Sequence, residues 1–118
     1  MHHIASPFTV WEKDPFTEVV TPAIEGTKNV MAAAKRAGVK RVVLTSSVFA
    51  LGNFMHPDPP ANGTVYTEED WNTQTSDELI KSTENPFEAY GASKPLAEKA
   101  AWDYAEENGM VSSIVCLD

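Results

Sequence analysis

A chain of 118 residues holds at most one domain of ordinary size, with a modest core. Its formal net charge of −8 and pI near 4.7 argue against a nucleic-acid partner, because no basic stripe exists to neutralise phosphates. No stretch approaches the roughly 20 apolar residues of a membrane span, and the single cysteine, Cys116, forbids an intrachain disulfide and fits a reducing, cytoplasmic compartment.

Along the chain, Met1 to Ala5 reads as a strand end stopped by Ser6-Pro7. From Val19 the apolar residues Val20, Ala23, Ile24, Val30, Met31 and Ala34 recur at helical spacing. Pro22 marks the start of the regular part, Lys35 and Arg36 suit the last turn, and Gly38 stops the helix. Arg41 to Thr45 is a continuous β-rich run, expected to be a strand buried on both faces as in a parallel sheet. The stretch Met55 to Asn62, with Pro57, Pro59 and Pro60, reads as a surface loop. A short helix is expected near Thr67 to Trp71, capped by Thr67, with Glu68, Glu69 and Asp70 at its positive end.

Asn85-Pro86 is a helix-start signal, with Asn as cap and Pro at the first helical position. That helix is predicted to reach about Glu107 and stop at Asn108-Gly109, before a second buried strand over Val111 to Leu117 that carries Cys116. The order strand, helix, strand, loop, helix, strand is a piece of a doubly wound α/β sheet.

Within the helix that starts at Asn85-Pro86, Tyr90 and Lys94 lie four residues apart, on one face and one turn above each other. A free tyrosine has a pKa near 10. A cation one turn away favours the phenolate and moves such a group toward the working range of an acid/base. A serine at the end of the upstream strand, in Thr45-Ser46-Ser47, supplies a hydrogen-bond donor for an oxygen on which charge develops. Together these residues suit hydride transfer to or from a carbon that bears oxygen. No cluster of metal ligands is read from the sequence.

The chain resembles the extended short-chain dehydrogenase/reductase (NAD-dependent epimerase/dehydratase) superfamily. It is most similar to the group of dihydroflavonol reductases, cinnamoyl-CoA reductases and fungal aldehyde/ketone reductases. Five pieces in order carry the likeness: residues 3–8, 22–30, 40–47, 69–72 and Tyr90-Gly91-Ala92-Ser93-Lys94 with Ala97-Glu98-Lys99 after it. The resemblance implies Tyr90 as acid/base, Lys94 as the cation that tunes it and binds the nicotinamide ribose, and Ser47 as the catalytic serine, with Ser46 second. It implies that Ala5, Ser6 and Ser46 contact the cofactor, NADP(H) before NAD(H), and that Phe8 and Phe49 line the pocket for a small carbonyl or alcohol substrate. Trp71 is expected to be a structural anchor.

Two departures qualify that likeness. The family's Gly-x-x-Gly-x-x-Gly turn, which binds pyrophosphate at a helix N-terminus, is not among these residues. The expectation is therefore a central, catalytic segment, residues 1–118, of a partial Rossmann-type sheet that lacks the first βαβ units and the C-terminal substrate region. Its parent would have about three hundred residues. An inactive remnant is a second reading. A sugar-nucleotide epimerase or dehydratase, or a hydroxysteroid dehydrogenase, is a third. The other departure is Pro95, which follows Lys94 inside the helix, removes a backbone donor and crowds the carbonyl of Gly91; a kink there would tilt Tyr90 relative to Lys94.

Overall fold

The computed structural model describes residues 1–9, 13–52, 60, 63, 65–111 and 114–117. The expected loop over 55–62 lies outside the described residues except at residue 60, as do residues 112 and 113 of the last expected strand.

Three parallel strands form one sheet in chain order: β1 (His2–His3), β2 (Val42–Thr45) and β3 (Ile114–Leu117). His3 stands opposite Leu44, and Leu44 opposite Cys116. The connections are α1 (Thr21–Arg36), then α2 (Val48–Leu51), α3 (Asp77–Ser82) and α4 (Pro86–Glu107). Two right-handed crossovers stepping the same way across a sheet put their helices on the same face. Met31 and Ala34 of α1, Val42 and Leu44 of β2, and Ala101 and Ala105 of α4 accordingly form one core cluster, with Met110.

Strand β2 is therefore covered on one side. Val42 and Leu44 are buried, while Val43 is half-buried and Thr45 exposed. Burial on both faces was expected; among the described residues both long helices pack on one face, so the second layer of a doubly wound sheet is not seen here. The core is apolar enough to matter, since burying a side chain such as that of Met31, 1% exposed, contributes about 2 kcal/mol.

Local signals set the helix ends. Pro22 sits in the first turn of α1, and Gly38 follows it at φ +66°, a left-handed conformation that suits glycine. The chain turns helical earlier than Val19, however. Asp14 accepts from the backbone N–H of Phe16 (3.3 Å) and Thr17 (3.1 Å), and Pro15 leads into a π-helical turn over Phe16–Val20 that runs on into α1. In α4, Asn85 Oδ1 accepts from Phe87 N at 3.0 Å, and Asn108-Gly109 ends the helix.

Residues 67–71 form a turn rather than a helix. Asp70 Oδ2 accepts from Thr67 N (2.8 Å) and Thr67 Oγ1 (3.2 Å), closing the segment on itself so that it cannot propagate. Trp71, expected as an anchor, is half-buried, with Lys99 Nζ 4.8 Å from its ring centroid. Helices α2 and α3 were not read from the sequence. Both are short and capped by serines, Ser47 and Ser76.

Candidate active site

Helix α4 lies deep in the fold because small residues let it. Ala89, Gly91, Ala92, Ser93, Ala97, Ala100, Ala101 and Ala105 are all buried, so its backbone closely approaches the sheet, α1 and α2. That depth brings the Tyr90–Lys94 turn to the carboxyl ends of β1 and β2, where ligands bind in open α/β sheets. A cavity of about 360 Å³ opens there.

One wall of the cavity is aromatic. Phe8 stands edge-on to Tyr90 with centroids 5.1 Å apart, and lies 5.3 Å from Phe87. Phe49 meets Tyr90 from the other side at 6.2 Å, nearly perpendicular. Glycine at position 91 makes room for that ring: a Cβ there would stand 3.0 Å from Phe49 Cδ1. The polar lining comes from Ser6, Thr45, Ser46, Tyr90 and Lys94. Phe8 is 55% exposed and Phe87 52% exposed, so the aromatic wall is open on its outer side.

Lys94 is buried, 6% exposed, and its ammonium is held in place. Nζ donates to the carbonyl of Thr45 at 3.3 Å and sits 5.4 Å from the Tyr90 ring centroid. The cation is thus pinned at the end of β2, beside the half-buried Tyr90. Burial, reinforced by the Lys94 charge, holds His3 of β1 below the usual imidazole range, and its Nε2 lies 3.5 Å from Thr27 Oγ1.

The two serines have different surroundings. Ser46 is buried on the cavity wall, and its hydroxyl donates to Glu98 in a very short bond. With its proton committed, Ser46 faces the cavity as an acceptor. Ser47 caps α2, where its Oγ accepts from Phe49 N at 3.3 Å. An acceptor role leaves its own O–H free to point elsewhere. Of the residues singled out from the sequence, Ser6, Phe8, Ser46, Phe49, Tyr90 and Lys94 line this cavity. Ala5 lines a small adjoining cavity with Ser46, Lys94 and Glu98. Ser47, expected as the catalytic serine, lines neither cavity; it caps α2, one residue beyond Ser46.

Three contributors went unread in the sequence. Glu98, 6% exposed, also accepts from Trp102 Nε1 at 3.2 Å. Its signal was available, because Tyr90, Lys94, Glu98 and Trp102 recur every four residues down one face of α4. Asn72 lay within residues 69–72, a piece that carried the likeness, but no role was read for it, and Phe87 had no comparable signature. Pro95 does not break α4, which runs unbroken from Pro86 to Glu107.

Comparisons with known proteins identify relatives of this chain. The 3-beta hydroxysteroid dehydrogenase/isomerase family matches residues 1–114. An anthocyanidin reductase of Vitis vinifera is 44% identical over 109 residues, 92% of this chain and 30% of its own length. A dihydroflavonol 4-reductase of Arabidopsis thaliana is 39% identical over 109 residues, again 92% of this chain and 26% of that protein. The yeast methylglyoxal/isovaleraldehyde reductase Gre2, solved as a complex with NADPH, superposes with a TM-score of 0.76 at 34% identity, covering 98% of this chain and 33% of the reductase. Gre2 from Candida albicans, also in complex with NADPH, gives 0.76 at 35% identity over the same shares. The chain thus spans about a third of the length of the proteins it matches.

Proposed function

Because the chain belongs to the 3-beta hydroxysteroid dehydrogenase/isomerase family, within the extended short-chain dehydrogenase/reductase superfamily, we propose that it carries the catalytic segment of an NADPH-dependent oxidoreductase that reduces a small aldehyde or ketone. The observation that carries this reading is the Tyr90–Lys94 turn set against the strand-end Ser46 on one cavity, with Ser47 the next residue. Two of the solved relatives hold NADPH, which favours NADPH over NADH.

The residues present suit the nicotinamide end of such a cofactor. Lys94 offers a fixed cation, Ser6 and Ser46 offer hydroxyl groups, and the cavity is of ligand size. When bound, the dinucleotide supplies the hydride. Tyr90 delivers the proton to the substrate oxygen as the carbon accepts that hydride, and Lys94 favours the phenolate left behind. Ser47 donates a hydrogen bond to the same oxygen. Ser46 presents its lone pairs, because its proton is held by Glu98. Phe8, Phe49 and Phe87 exclude water from one side and offer apolar surface to the substrate's carbon part. The same groups serve the reverse oxidation of an alcohol.

Thermal unfolding of the chain with and without millimolar NADPH and NADH tests cofactor recognition, and a higher midpoint with NADPH is expected. In the full-length protein carrying this sequence, Tyr90→Phe is expected to lower turnover by a factor of about 10² to 10⁴, the usual worth of general acid catalysis, while the NADPH-induced shift remains. Turnover retained in Tyr90→Phe refutes the assignment of Tyr90. A midpoint blind to both dinucleotides favours a chain without cofactor-dependent activity of its own.

A further inference from the structure

Pro95 has no N–H, so the carbonyl of Gly91, four residues earlier in α4, loses the donor that an α-helix normally gives it. Gly91 is buried, and a buried carbonyl without a partner is costly. The structure supplies a substitute from outside the helix. Asn72 Nδ2 donates to Gly91 O at 3.5 Å and also to Phe49 O at 3.0 Å. Its Oδ1 accepts from Gln74 N at 2.9 Å, which fixes which end of the amide faces the helix. Its backbone N–H donates to Ala50 O at 2.8 Å. Asn72 is 3% exposed, so these bonds operate away from water, where they are strongest.

Of the two carbonyls that share this amide, one belongs to a residue that lines the cavity and the other to the neighbour of one. Phe49 forms part of the aromatic wall, and Gly91 adjoins Tyr90. The Phe49 ring also rests against Gly91 itself. We propose that Asn72 is a positioning residue for Tyr90, and that it works as a pair with Pro95: the proline frees the Gly91 carbonyl, and the Asn72 amide uses it to lock the Phe49 segment onto the Tyr90 turn. The inference rests on the reductase reading for its effect on turnover, whereas the pairing itself stands on the hydrogen bonds.

Replacing Pro95 by alanine restores an N–H that can reach Gly91 O, which makes Asn72 partly redundant. The test is a double-mutant cycle of Asn72→Ala, Pro95→Ala and the pair, in the full-length protein carrying this sequence. Thermal midpoints and NADPH-dependent reduction of isovaleraldehyde are both measured, with Asn72→Asp as a near-isosteric variant that cannot donate. Asn72→Ala is expected to lower kcat about tenfold with a smaller change in KM. Adding Pro95→Ala is expected to recover about threefold of that loss, while Asn72→Asp falls at least as far as Asn72→Ala.

Midpoints that shift less in the pair than the sum of the single variants support the pairing; additive shifts overturn it. Turnover no better in the pair than in Asn72→Ala overturns the positioning role. If Asn72→Ala does not fold, a cooperative transition regained in the pair supports the pairing and its absence refutes it. Absence of turnover in the unsubstituted protein refutes the reductase reading, and the midpoint cycle then still decides whether residues 72 and 95 act together.

Discussion

Two glycines lie inside helices of this chain, and substituting each by alanine separates backbone propensity from packing at the site. Alanine is favoured over glycine by about 0.8–1.0 kcal/mol in a helix interior. Gly26 in α1 has nothing within 4 Å of an added Cβ, so Gly26→Ala collects that gain. At Gly91 the same gain applies, but the Cβ would meet Phe49 Cδ1 at 3.0 Å, Cε1 at 3.4 Å and Cγ at 3.6 Å. The ring must move, and overpacking of this kind costs about 1–3 kcal/mol.

The net expectation for Gly91→Ala is a loss between roughly 0 and 2 kcal/mol, set against a gain of about 1 kcal/mol for Gly26→Ala. Removing the ring reverses the sign: in a Phe49→Ala background, Gly91→Ala is expected to stabilise by about 1 kcal/mol. Urea unfolding of the five proteins reads these differences directly, and each kcal/mol corresponds to about 4 °C in a thermal scan. If Gly91→Ala stabilises the chain as much as Gly26→Ala does, Phe49 does not rest on Gly91, and the aromatic wall described above is wrong.

Further outcomes follow from the buried polar groups. Glu98→Ala leaves Ser46 Oγ and Trp102 Nε1 without their acceptor. The expected loss is about 2–4 kcal/mol by urea unfolding, and Glu98→Gln, which keeps the volume and one acceptor oxygen, is expected to cost less than half as much. Equal stability of the Ala variant and the parent would remove the Ser46–Glu98–Trp102 chain from the account. Because His3 is held below the usual imidazole range, its neutral form is favoured in the folded state. Its contribution to stability is therefore present above a pH of about 6.5, the unfolded value, and is lost as pH falls through the lower folded value. Urea midpoints at successive pH values should show that loss, and a His3→Gln variant should show a shallower one. An unchanged pH profile in His3→Gln would assign the loss to other groups. Tyr66 crowds Gly52, where an added Cβ would stand 2.7 Å from its Cε1, so Gly52→Ala is expected to cost about 1–3 kcal/mol in the same assay.

The sequence by itself determined what acts within a turn or two of the chain. Asn85-Pro86 and Asn108-Gly109 set both ends of α4, and Gly38 the end of α1, because caps and left-handed glycines act on neighbouring backbone groups. The Tyr90–Lys94 spacing was legible for the same reason. Asp14-Pro15 bears the same Asx-Pro signature as Asn85-Pro86, so the early helical turn was legible too, though it was not read. At residues 67–71 the acidic run misled, because Asp70 folds back on Thr67 instead of leading a helix.

Only the tertiary structure decided which serine gives its proton to Glu98, 52 residues away, and that the Asn72 amide takes the carbonyl Pro95 frees, 19 residues from it. Bonds of that reach depend on how closely α4 settles onto the sheet and α2. That depth is the sum of many small side chains packing together, which no local run of residues expresses.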